Sequence, residues 1–541
     1  MPSASPPTLR PYQREAIAAV IAARRAGVKR MVVCLPTGSG KTVIFSELAR
    51  MARRQVLVLA HREELLAQAR DKLDAALGGD RVVAIEQADQ RAPAEAEVLV
   101  CSIRSLHEKR LTRLIRGRDI GLILYDECHH AVAADNRRVL ADLGCFDRDW
   151  TGTLLGLTAT TNRADGQGLD EVFDEIVYRR SLPDLIEAGW LVPLRGFRVG
   201  ASADLRALQG GGLDFREEEL AEAVDIEERN ALVARSIQEL ARDRRTVAFC
   251  VTVAHARNLS RSLNRLGVSA GIVYGEMARD ARQRALADFR AGRTRVLTNV
   301  GVLTEGFDDP GVSCIAMARP TRSEALYAQC VGRGTRLHEG KADCLVLDFV
   351  DLASLSLVTL PSLFGMPQDV DLGGEDAVEA SQAWRHIVDD HPGFELEAGA
   401  ITLGEIQERA AAFDPLTLRV HPEVRAISAL GWESLGRVGL ALHVERRPGR
   451  LVEILVRSRG PRGRRWQVTI DGDERARFSK LEEAVQAVDW EVEQMGPDAL
   501  ASAQPSAPWR RAPVAGELAR LAAESRRGRS VRTIGEAVQA L

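Results

Sequence analysis

Seven residues near the start of the chain have the composition of a phosphate-binding loop. They follow an apolar run at 31–35, so a buried strand is predicted to lead into a glycine-rich turn and then a helix. Such glycines let backbone N–H groups close around phosphates, and the helix directs its positive end at them. The lysine would reach the β- and γ-phosphates, and the last threonine would be a ligand of Mg²⁺. The seven residues are Pro36, Thr37, Gly38, Ser39, Gly40, Lys41 and Thr42.

An acidic pair follows a second apolar run. Asp126 and Glu127 come directly after residues 119–125, which predict a buried parallel strand. Ligands gather at the carboxyl ends of such strands, where Asp126 would hold Mg²⁺ through its water shell and Glu127 would deprotonate an attacking water. The cysteine and two histidines at 128–130 are adjacent. Three adjacent side chains cannot all face one metal, so we expect no zinc there.

Two arginines much later in the chain could complete this site. Arg333 and Arg336 lie three residues apart at the end of a predicted helix, on one helical face or an adjoining turn. A guanidinium donated across a domain cleft to a γ-phosphate stabilises the charge that develops during phosphoryl transfer. An isolated pair would be interpreted as a solvated basic turn. With a phosphate loop and an acidic pair upstream, we favour the arginine finger.

Length and composition limit the class of protein. At 541 residues the chain exceeds one core, and its 45% hydrophobic and 28% charged residues are ordinary for globular proteins. No apolar run approaches membrane-spanning length, residues 1–7 lack a signal-peptide core, and eight scattered cysteines suit a reducing compartment, so we expect a cytoplasmic protein without membrane contact. The net charge of −3 hides basic blocks at 441–480 and 501–541, which are candidates for binding nucleic acid.

Strands alternate with helices in two separate stretches, which predicts an α/β fold with parallel sheets. The second stretch lacks a phosphate loop of its own, so we expect one nucleotide to serve both domains. The predicted division is an ATP-binding domain at 1–195, a linker at 196–229, a second domain at 230–355, an acidic bridge at 356–425, an accessory α+β domain at 426–500, and a linker with a small helical tail at 501–541.

Paired strands at 451–457 and 465–470, with a helix at 479–495, are predicted within the accessory domain. The basic pair with Trp466 could lie on DNA as a β-ribbon, or it could be a packing module with a solvated basic face. The sequence leaves both interpretations open.

Taken in order, the motifs resemble those of a superfamily 2 helicase or translocase. Asp-Glu-Cys-His at 126–129 is similar to the DEAD/DEAH-type motif II, Gly-Leu-Thr-Ala-Thr at 156–160 to motif III, and residues 329–336 to motif VI. The segments at 319–323 and 347–349 look most like the branch of RadD, mitochondrial Irc3 and restriction-subunit proteins. The resemblance implies two tandem RecA-like parallel-sheet domains followed by a smaller α+β region.

The resemblance also implies roles for individual residues. Gln13, in the segment 9–13, would hydrogen-bond the adenine edge, and Asp308, at the end of motif V, would contact the nucleotide. Gln329, Arg333 and Arg336 would act in catalysis, with Arg336 as the finger. The residues that would grip the nucleic-acid backbone are Arg62, Ser102, Thr252 and Thr304, and those that would couple hydrolysis to movement are His129, Thr158 and Thr160.

The sequence differs from the pattern of this family in three respects. Thr161 stands where this branch usually has proline, there is no four-cysteine cluster for a structural zinc, and no nuclease constellation follows residue 360. We therefore expect an ATP- and Mg²⁺-dependent helicase or translocase, acting on DNA in repair or recombination. The alternatives are the motor subunit of a restriction or defence complex, an RNA helicase, or a non-motor protein that uses ATP as a clamp. The intact Lys41, Glu127 and Arg336 argue against the last.

Overall fold

The structure is a computed structural model, and it describes residues 9–504 and Ala507 apart from internal gaps. Of the tail predicted at 501–541, only five residues are therefore described. The gaps are 61–62, 88–89, 160–167, 206–207, 209, 212–213, 305, 353–356, 392–393, 395, 397–400, 412–423, 425–426, 435–438, 448–449 and 460–464.

The chain divides into two compact units, Met1–His386 with Leu396–Ile406 and Ile387–Glu395 with Gln407–Leu541. The first unit contains both predicted α/β domains together with most of the described part of the predicted acidic bridge. Among the described residues, no helix has both the length and the apolar character needed to cross a membrane.

The first of two parallel sheets carries the phosphate-binding segment, and we call it lobe 1 together with its helices. Its seven strands run in the order β3-β4-β2-β5-β6-β1-β7, with parallel neighbours throughout. This order places the carboxyl ends of β1, β5 and β6 side by side. The strands are β1 (Arg30–Cys34), β2 (Gln55–Ala60), β3 (Val83–Glu86), β4 (Val98–Ser102), β5 (Ile120–Asp126), β6 (Thr153–Thr158) and β7 (Glu175–Arg179), and the helices are α1 (Pro11–Arg25), α2 (Lys41–Met51), α3 (Glu63–Leu77), α4 (Glu108–Ile115), α5 (Ala134–Asp142) and α6 (Leu182–Glu187).

The second parallel sheet, lobe 2, has the order β12-β13-β11-β14-β15-β8. Residues of its central strands, such as Val247 and Ile315, are apolar and fully buried, as expected for a parallel sheet that is covered on both faces. The elements are β8 (Leu194–Asp204), β9 (Gly210–Gly211), β10 (Asp214–Phe215), α7 (Glu217–Val224), α8 (Glu227–Leu240), β11 (Thr246–Phe249), α9 (Val253–Arg265), β12 (Ala270–Val273), α10 (Arg279–Arg290), β13 (Val296–Asn299), β14 (Cys314–Met317), α11 (Glu324–Val331) and β15 (Cys344–Leu352).

Part of the stretch predicted as a linker, 196–229, is folded. Strand β8 lies at the edge of the lobe 2 sheet, where it pairs with β15, and α7 follows it. Sequence patterns missed the strand because its partner is about 150 residues away and its glycines resemble a loop. The described part of the acidic bridge also contains regular elements: α12 (Leu360–Leu363), β16 (Val370–Asp371), α13 (Ala377–Asp390), β17 (Ile401–Thr402) and α14 (Leu403–Ala411).

The second unit is built on an antiparallel sheet in the order β18-β19-β20-β21-β22. The predicted pairing of strands near 451–457 and 465–470 is confirmed, and Trp466 is half-buried against the core of this unit. That position favours packing for this side chain. The elements are β18 (Glu433–Ser434), β19 (Gly439–Arg447), β20 (Arg450–Arg459), β21 (Arg465–Ile470), β22 (Asp473–Phe478), α15 (Leu481–Gln494) and α16 (Pro497–Ser502).

Candidate nucleotide-binding site

The phosphate-binding segment forms a tight turn between β1 and α2. Gly38 and Gly40 have φ angles of +88° and +79°, the left-handed region that favours glycine. A Cβ on Gly40 would also lie 2.7 Å from the side-chain nitrogen of Gln13. Helix α2 begins at Lys41, directly after this turn, so its first N–H groups face the cleft.

Gln13 and Tyr12 tie α1 to the phosphate loop. The Gln13 amide nitrogen donates to the Ser39 carbonyl at 3.1 Å, and its amide oxygen accepts from the Arg10 backbone N–H at 3.0 Å. The Tyr12 hydroxyl donates to the same Ser39 carbonyl. The predicted adenine-reading residue therefore also fixes the loop from behind, a role that the sequence motif alone does not reveal.

Lys41 and Glu127 form the central ion pair of lobe 1. The Lys41 ammonium lies 3.1 Å from Glu127 Oε1, and both side chains are nearly buried. Glu127 follows the end of β5 with a φ of 49°, a conformation uncommon for a residue with a side chain. Burial alone would raise the pKa of the Glu127 carboxyl, but the charges of Lys41 and His129 outweigh it and hold that pKa well below its usual range.

His129 links the acidic pair to β6. Its Nδ1 lies 3.4 Å from Glu127 Oε2 and 3.1 Å from the Thr158 hydroxyl, so these three residues form one chain of polar contacts. Asp126 accepts a hydrogen bond from the Glu127 backbone N–H at 3.1 Å. Thr160, the other residue predicted to couple hydrolysis to movement, lies outside the described residues.

The two predicted finger arginines differ in what they contact. The buried Arg333 guanidinium donates to the backbone carbonyls of Thr304, at 2.7 and 3.1 Å, and Phe307, at 2.9 Å. Arg336 instead places Nε 3.3 Å from Asp308 Oδ1. Its Nη1 is buried and has no hydrogen-bond partner among the described residues. Of the two, Arg336 therefore retains a donor for an incoming oxyanion. Gln329 is buried in α11, one turn before Arg333.

Both lobes line one open cleft, with a volume of about 280 Å³ that water-sized molecules can reach. Two glycines allow their close approach, because a Cβ on Gly332 would lie 2.6 Å from Thr37 Cβ and one on Gly38 would lie 3.1 Å from the Thr335 hydroxyl. The lining residues are Thr37, Gly38, Gly40, Lys41, Thr42, Ala69, Lys72, Asp126, Glu127, Gly306, Asp308, Arg333 and Arg336.

Lys72 is a cleft residue that sequence reasoning missed. Its ammonium, on α3 of lobe 1, lies 2.7 Å from Asp308 Oδ2 of lobe 2. Burial would raise the pKa of the Asp308 carboxyl, but the charges of Arg336 and Lys72 lower it overall. The carboxylate therefore pairs with one cation from each lobe. No local signal could have identified Lys72, since it is one charged residue on an amphipathic helix.

The hydroxyls predicted to grip nucleic acid are buried or are hydrogen-bonded within the protein. Ser102 is fully buried, the Thr252 hydroxyl accepts from the His255 N–H as the N-cap of α9, and the Thr304 hydroxyl donates to the Gly301 carbonyl at 2.8 Å. Arg62 lies outside the described residues. In the described ranges, no three His, Cys, Asp or Glu side chains are grouped as a metal site. All eight cysteines are buried, as predicted for core residues.

Two protein families match the chain, one in each lobe. Residues 7–163 match the family described as "Type III restriction enzyme, res subunit", and this match contains the phosphate loop and the acidic pair. Residues 228–338 match the family described as "Helicase conserved C-terminal domain", which contains both arginines. The two matches thus coincide with the two sides of the cleft.

Full-length relatives agree with these matches. The chain is 37% identical to irc3 of Schizosaccharomyces pombe, named as a candidate mitochondrial ATP-dependent helicase, over 67% of this chain and 60% of that protein. It is 33% identical to IRC3 of Saccharomyces cerevisiae, named as a candidate ATP-dependent helicase, over 69% of this chain and 56% of that protein. The chain belongs to superfamily 2 of the helicases. Within this superfamily it falls in the Irc3 and type III restriction-subunit branch.

A third relative is a subunit of a restriction enzyme. The chain is 25% identical to the type I restriction enzyme EcoAI endonuclease subunit of Escherichia coli, over 62% of this chain and 45% of that subunit. The chain thus spans between 45% and 60% of the length of these three relatives.

Proposed function

We propose that the chain hydrolyses ATP between its two lobes and uses the resulting movement to travel along nucleic acid. The observation that carries the proposal is the shared cleft, which Lys41 and Glu127 line from lobe 1 and Arg336 from lobe 2. An ATP bound there would contact both lobes, whereas ADP would lose the contacts to the γ-phosphate. Such a ligand difference favours a closed state before hydrolysis and an open state after it.

The cleft also offers suitable groups for Mg²⁺. The Thr42 hydroxyl and the Asp126 carboxylate both line it, and oxygen ligands of this kind are those that Mg²⁺ prefers. When bound together with the triphosphate, the ion would neutralise charge on the β- and γ-phosphates. Thr42 and Asp126 are accordingly proposed as its protein ligands.

Glu127 is proposed as the general base, and Lys41 as the residue that controls its basicity. In the structure, the Lys41 ammonium lies 3.1 Å from the Glu127 carboxylate and lowers the pKa of that carboxyl. A γ-phosphate would draw Lys41 away and leave Glu127 free to take a proton from the attacking water. Arg336 would then stabilise the charge that develops on the transferred phosphoryl group through its unpartnered Nη1.

Contacts to the nucleic-acid backbone would come from loop N–H groups and from side-chain hydroxyls that can still donate. The Thr304 hydroxyl already donates to the Gly301 carbonyl, whereas the Thr252 hydroxyl accepts from the His255 N–H and keeps its proton for a phosphate oxygen. Contacts to phosphates carry no sequence information, which suits a motor that moves over any sequence. DNA is the proposed substrate, because the relatives include a subunit of a DNA-cutting restriction enzyme.

A restriction-complex motor is the second candidate function. It is favoured by the match of residues 7–163 to restriction res subunits and by the similarity to the EcoAI subunit. Under this proposal a partner chain would supply DNA cleavage. The cytoplasmic location stays a prediction, because one of the relatives is named as mitochondrial.

ATPase rates over a panel of nucleic acids test the proposed function. The wild-type chain is expected to be stimulated more by single-stranded, duplex or forked DNA than by RNA of the same length. Glu127→Gln should lower the stimulated rate by about 10²–10⁴-fold, the range typical of a lost general base. Stimulation by RNA alone would favour an RNA helicase, and a wild-type chain that no nucleic acid stimulates would contradict the motor.

A further inference from the structure

Lys341 lies where the arginine-bearing turn meets the loop after Asp308. Its ammonium donates to three backbone carbonyls, those of Gly334 at 2.6 Å, Arg336 at 2.9 Å and Pro310 at 3.1 Å. Gly334 and Arg336 belong to the turn after α11, and Pro310 follows the segment that contains Asp308. One side chain therefore joins the two loops that carry Arg336 and its ion-pair partner.

The donors of Lys341 match these acceptors in number. A charged lysine has three N–H donors, so each of the three carbonyls receives one. A neutral amine has only two, and a lone pair would then face the remaining carbonyl. Methionine, which has a similar length, would leave all three without this partner.

The backbone position matters because the Arg336 side chain is long. Among the described residues, its ion pair with Asp308 and its burial restrain the guanidinium, so the reach of Nη1 also depends on where the turn is held. We propose that Lys341 is a positioning residue that holds this turn so that Arg336 can reach the γ-phosphate. This inference rests on the proposed function, because it assigns Lys341 a part in the same ATP hydrolysis.

The environment of Lys341 predicts a pH dependence of turnover, which is a second test of the proposal. Burial lowers the pKa of Lys341 to about 8. Of the charged groups facing it, Asp309 is paired with Arg245 at 3.0 Å and Arg336 with Asp308. Burial raises the pKa of the nearby Cys344 thiol to about 12, so that group stays neutral. As the pH rises through about 8, Lys341 loses its third donor, and turnover is expected to decline.

The test compares Lys341→Met and Lys341→Arg with wild type in the full chain. Lys341→Met should reduce the stimulated kcat by about 10- to 100-fold, the scale of a small misplacement of a catalytic group. Its affinity for Mg–ADP should stay within about twofold, while any preference for Mg–AMP-PNP over Mg–ADP should disappear. Lys341→Arg, which stays charged, should recover part of the kcat and lose the decline above pH 8.

A matched control separates positioning from general stability. Lys29→Met also removes a lysine that donates to a backbone carbonyl, that of Arg148 at 2.8 Å, but it lies outside the cleft. It should change neither kcat nor nucleotide preference. If Lys341→Met fails to fold, the pH profile of Lys341→Arg against wild type decides the question.

Failure of the inference differs from failure of the proposed function. An active wild type, with unchanged kcat and unchanged AMP-PNP preference in Lys341→Met, would overturn the positioning role alone. A wild-type chain without nucleic-acid-stimulated turnover would overturn the motor. Even in that case, nucleotide binding would test the inference. Loss of the preference for Mg–AMP-PNP in Lys341→Met would support it, and an unaltered preference would refute it.

Discussion

The two sides of the nucleotide cleft position their chemical groups in different ways. On lobe 1, Lys41 follows directly on Gly40 and Glu127 follows directly on the end of β5, so short segments of chain place both groups. On lobe 2, Arg336 pairs with Asp308, which is distant in the sequence and is brought to it by the fold. Local sequence therefore specifies the chemistry of one side, whereas long-range contacts decide which arginine is available on the other.

Among the substitutions that test this difference between the lobes, Arg336→Ala should have the largest effect, and the effect should be on kcat. Loss of the Nη1 donor that is proposed to reach the γ-phosphate should lower kcat by about 10³–10⁵-fold, the range of arginine fingers in other nucleotidases. Stimulated ATPase assays would measure it. Arg336→Lys is the matched variant, because it retains the charge but lacks the forked geometry, and it should recover only part of the rate. A kcat within about tenfold of wild type in Arg336→Ala would remove the finger from lobe 2.

Arg333→Ala should show a smaller effect, and mainly on stability. Its guanidinium bonds the carbonyls of Thr304 and Phe307, and each buried acceptor left unsatisfied costs about 1–3 kcal/mol. We expect the free energy of unfolding to fall by at least that amount, as measured by urea denaturation. Arg336→Ala should change it by less, because the ion pair that it removes leaves Asp308 paired with Lys72. Equal destabilisation by the two substitutions would mean that the arginines do not differ in role.

Much of the fold could be predicted because apolar runs alternate with helical patterns in both lobes. The predicted strand at 31–35 overlaps β1, and the predicted strand at 119–125 overlaps β5. Three edge strands were missed. β3 and β7 are short and partly exposed, and β8 is recognisable only through its pairing with β15. Their pairing depends on distant partners, which a single sequence does not show.

The candidate site divides along the same line. The phosphate loop and the acidic pair were identified from composition and spacing, because the chemistry requires glycine, lysine and carboxylates at fixed positions. Lys72 and Lys341 were not, since their roles follow from an ion pair across the cleft and from three backbone carbonyls. The resemblance had already favoured Arg336 as the finger, and the structure adds a physical reason, because Arg333 bonds carbonyls whereas Arg336 Nη1 has no partner among the described residues.

Nucleotide binding by Arg336→Ala tests most directly whether one nucleotide contacts both lobes. Isothermal titration with Mg–AMP-PNP and Mg–ADP would give the affinity ratio for wild type and variant. A charged hydrogen bond to the γ-phosphate is worth about 1.5–3 kcal/mol, so wild type should prefer Mg–AMP-PNP by roughly 10- to 100-fold. The variant should lose this preference while binding Mg–ADP as wild type does. A variant that keeps the full preference would contradict the shared nucleotide.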